Sequence, residues 1–421
     1  MLSLIICPIV AGKPKKNERT AESKVEEFVE LARAINIIVV KLVLSLKVNK
    51  IQAGTYFGSG KISEFKSYVD ENDIKLILID SKLSPMQQRN LEKFLQTKVL
   101  DRTGLILEIF GDRAQTKEGV LQVDLAHLEY QKTRLVRSWT HLERQRGGIG
   151  FMGGPGETQI ESDRRAINEQ IFRLKISLNK VIRTRRLQRA NRKKNNVPIV
   201  ALVGYTNAGK SSIFNYLTNS TVLQKDMLFA TLDPKMSIFE LLGSEKVILL
   251  DTVGFVSDLP THLISAFKAT LEEVINANVI LHIRDISHKE SNHQALDVAD
   301  TLDKLDWGGK ERPPIIEIHN KIDKLNSSDL SNSRVSQIPS RSPVLLSAST
   351  GKGFDYLQNE IKKVLSTGKK FEEIFIKFCD QKLRSWLFEK KIVDFETVVD
   401  GGYLIKVRWT EDQRGQFQSF M

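Results

Sequence analysis

The stretch Gly204-Tyr-Thr-Asn-Ala-Gly-Lys-Ser211 decides the fold of this chain. It matches the pattern G-x-x-x-x-G-K-[S/T], and it stands between the apolar run Ile199–Gly204 and a segment of helical pattern. Glycines let backbone N–H groups surround phosphate oxygens, and the N-terminus of the following helix favours negative charge. We expect Lys210 to neutralise β- and γ-phosphate oxygens and the Ser211 hydroxyl to bind Mg²⁺. A chance glycine-rich turn is the alternative, but it does not explain the strand–loop–helix context.

Later segments indicate that the nucleotide is GTP. Asp251-Thr-Val-Gly254 ends an apolar strand, so Asp251 can reach Mg²⁺ through water and the Gly254 N–H can meet the γ-phosphate. Asn320-Lys-Ile-Asp323 also follows a strand, and its last carboxylate can accept the N1–H and 2-amino hydrogen bonds of guanine, a pair that adenine lacks. Ser347-Ala348 would offer a backbone N–H to the guanine carbonyl. Thr231, within Phe229-Ala-Thr-Leu-Asp233, is the candidate switch threonine for Mg²⁺.

Together these segments predict one site for GTP and Mg²⁺. The residues expected to act in catalysis are Lys210, Thr231 and Gly254, and the expected Mg²⁺ ligands are Ser211, Thr231 and Asp251. The full set expected to contact the nucleotide is Gly204, Tyr205, Thr206, Asn207, Ala208, Gly209, Lys210, Ser211, Ser212, Phe229, Ala230, Thr231, Leu232, Asp233, Asp251, Thr252, Val253, Gly254, Asn320, Lys321, Ile322, Asp323, Ser347, Ala348 and Ser349.

The rest of the chain is predicted to be α/β, in four parts. We expect a small N-terminal α/β domain at 1–112 and an antiparallel, coiled-coil-like helical hairpin at 113–197. A P-loop GTPase domain at 198–367 and a small α+β domain at 368–421 follow. The apolar Met1–Val10 predicts a buried first strand, with a signal peptide as the alternative. Helix Gln381–Lys390 and strands Asp394–Val399 and Tyr403–Trp409 are expected in the last part.

Two helical seams define the hairpin. Apolar residues recur at spacings typical of one helix face from Leu121 to Leu142, and again from Ile167 to Val181. The connection Arg144–Glu157 contains six glycines and one proline, and we expect it to form the tip. Gly148–Gly153 within it has the form G-x-G-x-x-G, but a dinucleotide site needs a strand before it. Ala190–Pro198 is predicted to be a linker.

The charge balance points to a polyanionic partner. Lys and Arg total 63 against 51 Asp and Glu, a net charge of +12. Arg173–Lys194 holds ten basic residues and no acidic one. A solvated helix face and contact with rRNA phosphates are both open interpretations, and the absence of acidic residues favours rRNA. Membrane-surface binding would need a free apolar face, which the seam is expected to occupy. Phe151 in the tip could stack on a base.

Cysteine use and hydropathy argue against disulfide-stabilised, zinc-binding and membrane-spanning proteins. The two cysteines, Cys7 and Cys379, are far apart and fit neither a disulfide framework nor a zinc site. We therefore expect a reducing, cytoplasmic setting. Apolar runs fall short of the ~20 residues that a membrane span needs. We expect a monomer.

The sequence contains six characteristic segments, at 58–61, 83–90, 100–107, 153–165, 229–233 and 251–255. Together they resemble the HflX family, in the Obg–HflX group of translation-factor GTPases. The resemblance implies a GTPase that binds the large ribosomal subunit and splits or rescues stalled ribosomes under stress, or acts in subunit biogenesis. A second, ATP-type site in the N-terminal part is possible in this family, but no motif here supports it.

One position bears on the rate of hydrolysis. Phe255 stands after Gly254, where many GTPases carry a glutamine that orients water, and Asn219–Thr231 contains no arginine. Hydrolysis by the chain alone should therefore be slow. We expect a partner to supply the missing rate enhancement of ~10³–10⁵-fold, and the ribosome is the natural candidate. Asn207 matches the asparagine of related GTPases that use potassium, although it could equally brace the loop.

Two other function classes remain open. One is an RNA-binding assembly or anti-association factor in which GTP only locks a conformation. The other is an RNA-remodelling ATPase that works from the N-terminal half.

Overall fold

The computed structural model describes residues 2–10, 19–138, 155–194, 197–220, 228–229, 233–242, 245–257, 268–309, 311–325, 342–366, 370–390, 392–409 and 411–420. These residues form three β-sheets with associated helices and one long pair of helices. Across these ranges, no helix combines the length and the apolar character that a membrane crossing requires.

The first sheet is parallel, with four strands in the order β2-β1-β3-β4. Residues 3–7 of β1 are buried, as predicted for this strand, and their side chains alternate between the two faces of the sheet. Leu4 and Ile6 pack with α2 and α3, and Ile5 and Cys7 pack with α1 and α4. The elements are β1 (Leu2–Val10), α1 (Ala21–Ala34), β2 (Ile38–Val48), α2 (Ser59–Glu71), β3 (Leu76–Ile79), α3 (Pro85–Leu95), β4 (Lys98–Asp101) and α4 (Arg102–Arg113).

Helices α5 (Lys117–Ser138) and α6 (Pro155–Lys194) form the predicted hairpin. Two ion pairs show that they run antiparallel. Glu118 at the start of α5 pairs with Arg185 near the end of α6 at 3.1 Å, and Glu129 further along α5 pairs with Lys175 at 3.3 Å, earlier in α6.

The ends of the hairpin differ from the prediction. Helix α6 begins at Pro155, so the last residues of the predicted tip are helical, because proline suits the first turn of a helix. The helix continues to Lys194, so a linker beginning at Ala190 was wrong. Residues 139–154, with Phe151 and the glycine pattern 148–153, lie outside the described residues.

The second sheet has six strands in the order β10-β9-β8-β5-β7-β6, parallel except for the antiparallel edge strand β6. Every residue of the central strand β5 is buried. The elements are β5 (Ile199–Gly204), α7 (Lys210–Thr218), β6 (Lys235–Glu240), β7 (Lys246–Asp251), α8 (Lys268–Ile275), β8 (Val279–Asp285), α9 (Ser291–Asp303), β9 (Ile315–Asn320), β10 (Val344–Leu345) and α10 (Phe354–Ser366).

The first and second sheets share one continuous cluster of buried apolar side chains. Phe28 of α1 and Ile106 of α4 belong to it together with Ala201 of β5 and Leu250 of β7. Helices α1 and α4 therefore pack between the two sheets. This packing joins the N-terminal part to the sheet that carries the phosphate-binding loop.

The third sheet is antiparallel, in the order β11-β13-β12. Leu387, Ile405 and Trp409 lie in its core. The sequence predicted β12, β13 and α11 but neither β11 nor α12. The elements are β11 (Lys370–Lys377), α11 (Gln381–Glu389), β12 (Val393–Val399), β13 (Gly402–Trp409) and α12 (Glu411–Phe420). With the hairpin, the parallel first sheet and the mainly parallel second sheet, this confirms the predicted fold class.

Candidate nucleotide-binding site

The phosphate-binding loop joins the end of β5 to the start of α7. Lys210, the first residue of α7, is buried, and its Nζ donates to the carbonyl oxygens of Tyr205 at 2.7 Å and Gly204 at 3.2 Å. Burial, partly offset by the Asp251 carboxylate, lowers the pKa of Lys210 to about 8. The ammonium group thus lies inside the loop, where it can meet phosphate oxygens.

The loop is supported by the end of β9. Asn320 Nδ2 donates to the Ala208 carbonyl oxygen at 2.9 Å, and Lys321 Nζ donates to the Asn207 carbonyl oxygen at 2.9 Å. Gly209 has a φ of +97°, and a Cβ there would lie 2.2 Å from Asn320 Nδ2. Only glycine satisfies both the backbone conformation and the close approach. The predicted guanine motif and phosphate loop are therefore in direct contact.

Two of the predicted Mg²⁺ ligands lie together. Ser211 Oγ donates to Asp251 Oδ2 at 2.7 Å, and Asp251 is fully buried at the end of β7. A hydroxyl and a carboxylate are the hard oxygen donors that Mg²⁺ prefers, so this pair fits the ion. The backbone of Gly254 borders the same point, because a Cβ there would lie 3.0 Å from Lys210 Nζ.

The residues around Gly254 have structural contacts of their own. Thr252 Oγ1 donates to the Leu202 carbonyl oxygen at 2.6 Å, and Val253 is buried. The Phe255 N–H donates to the Gly204 carbonyl oxygen at 3.1 Å, and the Thr206 N–H donates to the Phe255 carbonyl oxygen at 2.8 Å. The Phe255 ring lies in the apolar cluster shared by the two sheets. Its backbone braces the phosphate loop, and its ring fills the core.

The predicted guanine-binding residues also come together. Asp323 is exposed in the middle of a short 3₁₀ turn, Ile322–Lys324, and its Oδ1 accepts a hydrogen bond from Ser347 Oγ at 2.6 Å. This hydrogen bond lowers the pKa of Asp323. The Ala348 N–H donates to Asn320 Oδ1 at 3.1 Å, and Ser349 Oγ lies 3.0 Å from Ser347 Oγ. An ionised carboxylate thus faces solvent beside the loop.

The predicted switch segment is anchored elsewhere. The Phe229 ring is buried and packs edge-on against Phe110 of α4, with 4.8 Å between ring centroids. The Asp233 carboxylate accepts hydrogen bonds from the backbone N–H groups of Gln115 at 2.9 Å and Thr116 at 2.8 Å. Phe229 is thus in contact with the N-terminal part, and Asp233 with the start of α5. Ala230, Thr231 and Leu232 lie outside the described residues.

Comparison with known proteins extends these observations along the chain. A model described as GTP-binding GTPase N-terminal matches residues 22–111, the corresponding middle-region model matches 113–192, and a model described as 50S ribosome-binding GTPase matches 199–321. The GTPase HflX of Magnetococcus marinus is 44% identical over 377 residues, which cover 90% of this chain and 85% of that protein. The chain belongs to the HflX family of GTPases.

A second relative agrees with this assignment. The GTPase HflX of Escherichia coli K12 is 38% identical over 387 residues, covering 91% of this chain and 89% of that protein. The resemblance to HflX found in the sequence is confirmed, and the chain is a GTPase. Among solved structures, a GTP-binding protein of Sulfolobus solfataricus in complex with GDP aligns with a TM-score of 0.45 at 22% identity, over 86% of this chain and 98% of that one.

This HflX-family chain also has a charged cluster that the sequence did not reveal. Tyr205 of the phosphate loop donates to the Glu27 carboxylate, and Ser257, two residues after Phe255, donates its N–H to Tyr205 Oη at 2.8 Å. Arg102 pairs with Glu27 and, at 2.9 Å, with Asp80. Arg19 pairs with Glu27 at 2.7 Å. No local pattern signals these contacts, because they join residues far apart in the chain.

The ionisation of this cluster follows from its geometry. Burial alone would raise the pKa of Glu27, but the guanidinium groups of Arg102 and Arg19 outweigh it and hold that pKa below its usual range. Glu27 is therefore a buried carboxylate with two cationic partners. It connects α1 to both the phosphate loop and the segment that follows Gly254.

Proposed function

We propose that this GTPase couples GTP hydrolysis to binding of the large ribosomal subunit. Lys210 and the loop amides bind the phosphates, and Asp323 selects guanine. Ser211, Thr231 and Asp251 would hold Mg²⁺. The contact between Ser211 and Asp251 beside the buried Lys210 is the observation that carries this assignment. Mg²⁺, when bound, neutralises phosphate charge, and water is the nucleophile.

The site is incomplete by itself in this proposal. The ring of Phe255 is buried in the shared core, so it does not orient the attacking water, and a phenyl ring can neither donate nor accept such a hydrogen bond. The sequence 219–231 contains no arginine that could neutralise the transition state. A partner must therefore supply the missing interactions, which would raise the rate of hydrolysis by ~10³–10⁵-fold.

Helix α6 supports rRNA as part of that partner. Lys180 and Arg183 are exposed on it, and so is Phe172, at 64% exposure, which can stack on an unpaired base. Three other basic side chains of the run are already in ion pairs, which leaves less charge for rRNA than the sequence suggested: Arg173 with Glu169, Lys175 with Glu129 and Arg185 with Glu118.

The proposed cycle follows from these parts. GTP orders the switch segment that carries Thr231, the hairpin of a monomer inserts into the large subunit, and hydrolysis releases the protein. In the cytoplasm, this cycle would split or rescue stalled ribosomes under stress, or it would act in subunit biogenesis. The model description that matches residues 199–321, 50S ribosome-binding GTPase, supports this partner.

Sedimentation with purified large subunits tests the proposal. We expect binding with a non-hydrolysable GTP analogue and weaker binding with GDP. A Lys210→Ala variant should lose nucleotide-dependent binding. If that variant still binds and separates subunits as the wild type does, turnover is not part of the function, and the protein is an RNA-binding assembly factor instead.

Potassium is proposed as a further cofactor at Asn207. This residue is exposed and has a left-handed backbone conformation (φ +60°), which asparagine tolerates, and its carbonyl oxygen already accepts from Lys321. The alternative is that Asn207 only braces the loop. Turnover should fall when sodium replaces potassium, and equal rates in the two salts would remove potassium from the mechanism.

A further inference from the structure

The hydroxyl of Tyr205 makes three hydrogen bonds. It donates to the Glu27 carboxylate, and it accepts from the Ser257 N–H at 2.8 Å and from Arg19 Nη1 at 3.1 Å. Tyr205 is buried, and burial together with the negative charge of Glu27 raises its pKa, so the hydroxyl keeps the proton that it donates. With three partners around one oxygen atom, the hydroxyl has a fixed orientation.

Backbone hydrogen bonds also join the phosphate-binding loop to the segment after β7. The Phe255 N–H donates to the Gly204 carbonyl oxygen at 3.1 Å, and the Thr206 N–H donates to the Phe255 carbonyl oxygen at 2.8 Å. Phe255 thereby pairs with Tyr205 as in a parallel sheet. The Ser257 N–H lies two residues further on, but its acceptor is the Tyr205 side chain. A side-chain substitution can therefore remove this third bond and leave the other two in place.

Gly254 lies close to the same loop. A Cβ at Gly254 would lie 2.9 Å from the Thr206 Cα, a backbone atom, and 3.0 Å from Lys210 Nζ. Such an approach to backbone leaves no room for a side chain, so glycine is required here. Lys210 Nζ itself donates to the Tyr205 carbonyl oxygen at 2.7 Å. Tyr205 thus contacts the phosphate-binding lysine through its backbone and the segment that carries Gly254 through its side chain.

We propose that Tyr205 is a positioning residue for GTP hydrolysis. Its hydroxyl, oriented by Glu27, accepts the Ser257 N–H and so holds the Gly254 backbone where its N–H meets the γ-phosphate beside Lys210. This role rests on the proposed function, in which the phosphates bind at the loop. It adds the side chain that fixes the segment after β7 for the reaction.

GTP hydrolysis by the full chain without ribosomes tests this role. Tyr205→Phe removes only the hydroxyl, and it keeps the ring in the apolar cluster and the backbone acceptor for Lys210. We expect kcat to fall about tenfold, because the Gly254 N–H is no longer held at the γ-phosphate, and KM to stay within about twofold of wild type. GDP affinity should not change, since GDP has no γ-phosphate.

Two further variants separate positioning from stability. Tyr56→Phe is the matched control, because Tyr56 is also buried, its hydroxyl accepts from Ser81 Oγ at 2.8 Å, and it packs on the other face of the first sheet. It should keep the kcat of the wild type. Glu27→Gln retains an oxygen that can accept from the Tyr205 hydroxyl. It should therefore lose less kcat than Tyr205→Phe, although it destabilises the protein more.

Hydrogen exchange at the Ser257 amide is the second measurement. Exchange should be slow in the wild type and in Tyr56→Phe, and faster in Tyr205→Phe, which lacks the acceptor. A wild type in which this amide exchanges as fast as in Tyr205→Phe would contradict the role of the hydrogen bond.

Two kinetic results would overturn the inference. One is a Tyr205→Phe protein, folded and able to bind GDP, with the kcat of the wild type. The other is a Glu27→Gln protein that loses at least as much kcat as Tyr205→Phe, since activity would then follow stability. Failure of the proposed function would look different, because turnover by the wild type would then not respond to large subunits, whatever the variants do on their own.

Discussion

The hydroxyl of Tyr205 donates a hydrogen bond to the carboxylate of Glu27, and so joins the phosphate-binding loop to helix α1 of the first sheet. Ser257 belongs to the same network, since its N–H donates to Tyr205 and its Oγ donates to Glu27 Oε1 at 3.0 Å. The loop and the segment after Gly254 therefore share one anchor. That anchor lies outside the GTPase sheet.

Replacing Glu27 by glutamine should destabilise the protein strongly. The change leaves Arg19 and Arg102 buried without their shared counter-charge, and breaking a buried ionic network in this way costs about 3–5 kcal/mol. Glu64→Gln is the control, because its ion pair with Lys61 is exposed and should be worth less than about 1 kcal/mol. Urea unfolding measures both. Equal losses in the two variants would show that the Glu27 network does not support the fold.

The stabilisation by Glu27 should depend on pH in a defined direction. Its pKa is lowered in the folded state, so its contribution is complete above the unfolded value of about 4.3 and is lost as the pH falls through the folded pKa. The difference in unfolding free energy between wild type and Glu27→Gln should be constant from pH 7 to about pH 5, and should narrow below about pH 4. A difference that stays constant through this acid range would contradict the assignment.

Asp323→Asn should change the base that the site prefers. The variant loses a charged acceptor for two guanine donors, and at about 1.5 kcal/mol or more for each such bond GDP affinity should fall at least ~100-fold. An amide offers one donor and one acceptor, which suits xanthine, so XDP should bind the variant better than GDP. Fluorescence titration with both nucleotides measures the change. Asp300→Asn, an exposed change on α9, is the control and should bind GDP as the wild type does.

Removing two charges from helix α6 should weaken binding to the large subunit in a salt-dependent way. The slope of log K against log[salt] is negative, and it becomes less steep by about 0.7–0.9 for each basic side chain that no longer pairs with a phosphate. Lys180→Gln with Arg183→Gln should therefore make it less steep by up to ~2. Lys82→Gln with Lys93→Gln removes the same charge from exposed positions in the first sheet's region and should leave the slope unchanged. If both double variants bind alike, α6 is only a solvated helix face.

The sequence predicted best those elements whose residues carry local signals. The buried strand Ile199–Gly204 and the glycine loop after it were recognised because apolar burial and phosphate binding each demand particular residues. Edge strand β6 was missed because it is half exposed, with Ile238 at 64% exposure, and lacks a buried run.

Residues whose roles depend on distant partners were not predictable from local patterns. Glu27 and Tyr205 lie 178 positions apart, so neither residue's neighbours indicate their contact. Asp233 stays a predicted nucleotide contact, but nothing in its local sequence indicated that its carboxylate would accept the Thr116 N–H at the start of α5.

GTP turnover with and without purified large ribosomal subunits tests the central claim most directly. The chain alone should hydrolyse GTP slowly, because Phe255 is buried in the core and takes the place of the water-orienting glutamine in the proposed site. Adding large subunits should raise kcat by at least ~10³ at saturating GTP. A rate that large subunits leave unchanged, or rapid turnover by the isolated chain, would contradict the account.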